Sequence, residues 1–178
     1  MSRPVAAIVL LLVVAGPGFA VAQSAAGSKA APSISSRYTP LSGCREIAFG
    51  SDVGDGVDHR CKGYGGIPIW LSYRDSTRSY FGFGAKRNLS GMFSAERDEA
   101  WPIEWRGRLA RGEFQPFAVI LRVRGAFEPR RRSLVVFRLR ADGTSCIVGS
   151  TDGSTEAARR IADASLARFE CEQEPQLL

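Results

Sequence analysis

The sequence predicts an α+β fold: an antiparallel β-meander of about seven or eight strands, curled or partly closed, with one C-terminal helix over about residues 154–170 packed on it. Three observations predict it. Apolar residues recur at every second position through the middle of the chain, the strand period. Turn-forming residues separate these runs at short intervals, which joins successive strands as antiparallel neighbours. Near the end, Ala158, Ile161, Ala162, Ser165, Leu166 and Phe169 recur at helical spacing.

The elements follow in order. Cys44 to Phe49 and Val57 to Lys62 flank a Gly- and Asp-rich stretch and read as a hairpin. Gly63-Tyr64-Gly65-Gly66 reads as a turn; it lacks the Lys-Ser/Thr of a phosphate-cradling loop. Ile67, Ile69, Leu71 and Tyr73 alternate along a strand, and Tyr80 to Gly84 returns after a turn. Ala85 to Ala100 is polar and reads as a long loop. Ile103, Trp105 and Leu109 alternate with Glu104, Arg106 and Arg108; Pro116 to Gly125 and Ser133 to Arg140 are strands with Val119, Leu121, Val123 and Val135, Phe137, Leu139 on one side. Ala141-Asp142-Gly143-Thr144 is a tight turn before a strand at Cys146 to Gly149. Asp152-Gly153-Ser154 offers the helix a cap, and Glu156–Arg160 and Arg159–Asp163 are spaced as i,i+4 pairs along it.

The ends of the chain indicate a compartment. Arg3, an apolar run from Val5 to Ala15, a Gly16-Pro17-Gly18 break and a small-residue end at Ala20-Val21-Ala22 read as a signal peptide over residues 1–22, cleaved after Ala22. The run is too short to span a bilayer, and no later segment is long enough, so no membrane span is expected in the mature chain. Residues 23–36, rich in Ala, Ser, Gly and Pro, read as a flexible tether. Residues 37–172 form a single domain and 173–178 a loose tail. The expected location is the periplasm or the exterior. Cys44, Cys61, Cys146 and Cys171 are then expected in disulfides. Four cysteines allow three pairings; Cys44–Cys61 and Cys146–Cys171 are favoured because each joins neighbours in the expected fold.

The net charge is +6, which suits anionic partners without demanding one. The feature that draws attention is arginine at alternate positions. If three consecutive strands pair, Arg106 and Arg108, Arg122 and Arg124, and Arg138 and Arg140 share the side opposite the apolar one, with Arg130-Arg131-Arg132 in the adjoining connection. Such a face attracts phosphates or carboxylates. The plainer alternative is a solvated sheet face with carboxylates interleaved.

Other chemistry is thinly represented. His59 is the only histidine and reads as a surface strand residue; Asp58 beside it points to the opposite face. Cysteine spacing fits no metal site, and no cofactor, no metal, no catalytic residue and no nucleic-acid partner is expected. Glu96, Asp98, Glu99 and Glu104 could supply a hydrolytic carboxylate pair, though loop solubility explains them better. Trp70, Trp101 and Trp105 could stack sugar rings but more simply fill a core, with Trp101 the most exposed.

Tyr38-Thr39-Pro40-Leu41-Ser42-Gly43-Cys44, Cys61 through Pro68, Ile103-Glu104-Trp105-Arg106, Pro116 through Arg122, and the surroundings of Cys146 and Phe169-Glu170-Cys171 together resemble a group of small exported proteins of alphaproteobacteria. The resemblance spans most of the mature domain. It implies export and the four-cysteine frame, and carries no activity across.

The expected function is that of an exported, non-catalytic binding or envelope-associated protein that meets an anionic envelope component, or another protein, through its arginines. One alternative is an inhibitor of a secreted or envelope hydrolase, presenting the loop from Ala85 to Ala100. A second is a carboxylate-based hydrolase. Nothing in the sequence fixes an oligomeric state.

Overall fold

The computed structural model describes residues 33–47, 56–74, 77–94, 102–128, 130–168, 171 and 176–177. The signal-peptide segment, most of the tether, Glu96, Asp98, Glu99, Trp101, Phe169 and Glu170 lie outside them.

The strands are β1 (Ile34–Thr39), β2 (Ser42–Ile47), β3 (Gly56–Lys62), β4 (Pro68–Arg74), β5 (Arg78–Phe83), β6 (Ser90–Ser94), β7 (Ile103–Ala110), β8 (Glu113–Arg124), β9 (Arg132–Leu139) and β10 (Ser145–Thr151). They are followed by helix α1 (Thr155–Arg168) and a two-residue strand, β11 (Gln176–Leu177). One sheet has the order β1-β7-β8-β9-β10-β11 and the other β2-β3-β4-β5-β6. Every pairing is antiparallel except β10 with β11.

The fold is mostly antiparallel β with one helix, as expected, but the single curled meander is corrected to two sheets packed face to face, with ten strands of five or more residues among the described residues. The reason lies in β8 and β9. Phe117-Ala118-Val119-Ile120-Leu121 and Leu134-Val135-Val136-Phe137 are buried at every position. A sheet apolar on both sides must be covered on both sides. Trp105, Val119, Leu121, Val123, Val135 and Phe137 face the second sheet, where they meet Ile69, Leu71, Phe81, Phe83 and Phe93. Ala118, Ile120, Leu134, Val136 and Val148 face the other way and are covered by Ala158, Ile161 and Ala162 of α1. The result is three layers.

Several boundaries shift. β1 begins at Ile34, three residues inside the stretch assigned to the tether, and pairs along all its length with β7. Its alternation of small polar residues carries little apolar signal; the edge of an existing sheet organises it. The loop expected from Ala85 to Ala100 contains β6, whose Phe93 is buried against Phe81 and Phe137. Residues 84–89 are held against both sheets: the Lys86 N–H donates to the Gly143 carbonyl at 2.8 Å and Asn88 Nδ2 to the Ser145 carbonyl at 3.0 Å. A Cβ on Gly82 would stand 1.9 Å from the Asn88 carbonyl oxygen, and Arg87 reaches the buried Asp58 carboxylate at 2.7 Å. In the tail expected to be loose, Gln176 and Leu177 pair with Gly149 and Ser150.

The disulfides are Cys44–Cys61, between β2 and β3, and Cys146–Cys171, between β10 and the chain beyond α1. Both favoured pairings are therefore present, and two disulfides suit an oxidising environment. Ser154 caps α1, its Oγ accepting from the Ala157 N–H at 3.2 Å. No described helix is long and apolar enough to cross a membrane.

Candidate functional site

The six expected arginines do sit opposite the inner core, as strand parity requires, but they do not form one open face. Helix α1 lies across the middle of it. The register places Arg106, Ala118, Arg138 and Cys146 in one row, then Glu104, Ile120 and Val136, then Arg122 with Leu134, then Arg124 with Arg132. The helix packs over Ile120, Leu134 and Val136, and the row of Ile120 and Val136 separates Arg106 and Arg138 from Arg122 and Arg124.

Their roles then separate. Arg106 forms a two-pronged ion pair with Asp163 of α1, Nε donating to Oδ1 at 2.8 Å and Nη2 to Oδ2 at 2.7 Å. Its pKa is raised, chiefly by that hydrogen bond. Arg140 lies 3.5 Å from Asp142 in the β9–β10 turn. Arg108 is exposed on β7 beyond a bulge, and Arg138 is half-buried beside Ala118. Arg122 and Arg124 are half-buried beyond the N-terminal end of α1. The physical reason is that a helix with Asp163 and Arg159 on its inward flank uses the sheet's charges to dock. The i,i+4 pairing expected between those two residues gives way to Arg159–Glu104 and Asp163–Arg106.

At the N-terminal end of α1 this docking leaves a cleft of about 290 Å³, lined by Tyr38, Pro102, Glu104, Ile120, Arg122, Leu134, Thr155 and Arg159. β1 contributes Tyr38, held directly opposite Glu104 of β7 by the strand register. β8 supplies Ile120 and Arg122, spaced to share a face, and β9 supplies Leu134. Thr155 opens the helix, and Arg159 lies one turn on.

A polar network forms one wall. Glu104 is 5% exposed, and a carboxylate buried to that degree needs charged donors. It accepts from Arg159 Nε at 2.7 Å and from Ser36 Oγ. Arg159 Nη2 donates to Tyr38 Oη at 2.7 Å, and Arg106 Nη1 reaches Ser36 Oγ at 3.1 Å. The Glu104 hydrogen bond is the main reason the Arg159 pKa is raised. Ile120, paired beside Glu104 in the sheet, and Leu134 and Pro102 add apolar surface to the lining. The lining thus carries two guanidiniums to one carboxylate, beside a helix start whose dipole also favours negative charge.

Of the other candidates, Glu104 is a strand residue held by donors rather than a loop carboxylate. Trp105 is fully buried. Trp70 donates its indole N–H to the Gly84 carbonyl at 2.8 Å and lies under Arg60. His59, expected at the surface, is half-buried and meets Tyr73 edge-on at 5.7 Å, because its strand faces the second layer. Among the described residues no three His, Cys, Asp or Glu side chains converge as a metal site. A second cavity of about 280 Å³ runs along β2 and β3 between exposed Arg45, Arg60 and Lys62, and contains no buried charge.

Sequence reasoning missed Tyr38, Arg159 and Thr155. The signal available was slight: an inward-flank arginine on a helix otherwise faced with alanine and isoleucine. Comparison with protein-family models, curated proteins and solved structures finds no match for the chain.

Proposed function

We propose that the protein is an exported, envelope-associated, non-catalytic binding protein. It holds one anionic group, a carboxylate or phosphate with a short apolar portion, in the cleft between Arg122 and Arg159. The proposed route is export to the periplasm or beyond, with cleavage near Ala22. The observation that carries the reading is the lining: two guanidiniums beside a capped helix start, together with apolar Ile120, Leu134 and Pro102. Arginine is suited to this role because its planar fork grips two oxygens at once. Glu104 and Arg159 are paired with each other, so the lining of Arg122, Arg159 and Glu104 keeps one positive charge in excess.

Titration at low ionic strength with acetate, hexanoate and inorganic phosphate tests the proposal. Hexanoate is expected to bind more tightly than acetate, and affinity to fall as salt rises. Arg122→Gln removes a charged hydrogen-bond donor worth about 1.5–3 kcal/mol, so affinity is expected to drop about tenfold or more. Unchanged affinity in that variant, or equal binding of uncharged hexanamide, would rule the cleft out as an anion site.

A further inference from the structure

One surface feature lies outside the cleft. The connection between β8 and β9 carries Phe127 at its tip, and Phe127 is 82% exposed, the largest value among the exposed apolar side chains described. A single exposed apolar residue is ordinary. The neighbourhood of this one is not. Residues 124–132 contain Arg124, Arg130, Arg131 and Arg132 against one acid, Glu128, and Arg130, Arg131 and Arg132 are all exposed.

The tip is also held in place. The Gly125 N–H donates to the Arg131 carbonyl at 3.1 Å, and the Arg131 N–H to the Glu128 carbonyl at 2.9 Å. Arg131 grips both oxygens of Asp152, with Nε to Oδ1 at 3.2 Å, and Ser133 adds a contact at 3.3 Å. The Asp152 pKa is lowered, first by the Arg131 hydrogen bond. The hairpin is therefore tied to the segment leading into α1, and Phe127 is presented rather than tucked away.

We infer that the β8–β9 hairpin docks the protein on an anionic phospholipid surface. Phe127 enters the headgroup boundary while Arg130 and Arg132 meet lipid phosphates. The argument is charge complementarity around one protruding aromatic ring. Basic residues gather at a negative leaflet, each contributing a roughly fivefold gain in partitioning, and an aromatic side chain is at home at the headgroup level. A single such contact is weak and reversible, as suits a protein without a spanning helix among its described residues.

Co-sedimentation of the purified protein with vesicles of phosphatidylcholine alone, or of phosphatidylcholine with one-third phosphatidylglycerol, tests this. Binding is expected only to the anionic vesicles and is expected to fade with salt. Phe127→Ser is expected to reduce partitioning about tenfold, and Arg130→Gln with Arg132→Gln about twentyfold. Equal binding to both vesicle types, no binding to either, or unchanged binding of both variants would overturn the inference. The hexanoate titration repeated on Phe127→Ser keeps the two proposals separate. Wild-type affinity there alongside lost vesicle binding supports docking whatever the fate of the cleft. Loss of hexanoate binding in that variant would show the hairpin to be part of the cleft and overturn its separate role.

Discussion

Trp105→Ala is expected to lower stability by about 3–5 kcal/mol, the range for an aromatic side chain removed from a packed core. Trp105 is 0% exposed. Its ring meets Phe83 edge-on at 5.9 Å and Tyr64 at 6.4 Å. Gly63 packs so closely that a Cβ there would stand 2.7 Å from the indole. The indole N–H donates to Thr39 Oγ1 at 2.8 Å, so the same substitution frees the end of β1. Little can collapse into the space, because the tryptophan is held from three directions: the second sheet, the Gly63 turn and β1. Urea unfolding measures the loss, and Trp105→Phe is expected to fall between the two. A loss below about 1 kcal/mol would mean that the two sheets do not meet at this residue.

The second large effect is expected from opening the C-terminal disulfide by Cys146→Ser with Cys171→Ser. The bond closes a span of 25 residues, and in the chain-entropy account a loop of that size contributes about 3 kcal/mol. The span contains the whole of α1. Without the bond, the helix is held by Ala158, Ile161 and Ala162 on the sheet and by the ion pairs Arg106–Asp163 and Arg159–Glu104. Those anchors act on its body, so hydrogen exchange is expected to rise first in the last turn of α1. Anion affinity at the cleft, at the opposite end of the helix, is expected to change by less than about threefold. A stability loss under about 1 kcal/mol, or exchange rising equally along α1, would contradict this division of labour.

Much of the fold was legible because strand and helix periods are set by local geometry. Val119-Ile120-Leu121 and Val135-Val136-Phe137 announce strands, and Ser154 with the alanine-rich face behind it announces a capped helix. The disulfide pairing followed from adjacency in chain order. What could not be read was partnership. Ser35-Ser36-Arg37 has no strand signal of its own and becomes β1 because β7 offers an unpaired edge. Gly91-Met92-Phe93 sits in polar company and becomes β6 because Phe93 has a place in the core.

The candidate site was legible in half. Parity placed Arg106, Arg122, Arg124 and Arg138 opposite Trp105 and Leu121. It could not show that Ala118, Ile120, Leu134 and Val136, interleaved with those arginines, would draw α1 onto the same side. The covering helix turned Arg106 from a candidate ligand contact into a docking group. It also brought Arg159, far away in sequence, against Glu104. A sheet face that mixes arginine with fully apolar residues is better read as a charged seat for a helix than as an open surface.

Helix α1 is clamped onto the arginine-bearing side of the sheet by Arg106–Asp163 and Arg159–Glu104, with an anion-sized opening at its first turn. Side-chain Nε–Hε NMR of the arginines tests it most directly. Arg106 and Arg159 each donate Nε–H to a carboxylate, at 2.8 and 2.7 Å. Both signals are expected to be resolved and slow to exchange, and added hexanoate is expected to shift Arg159 and Arg122 while leaving Arg106 in place. Arg106 and Arg159 exchanging as fast as the exposed Arg108, or hexanoate moving every arginine signal alike, would contradict the account.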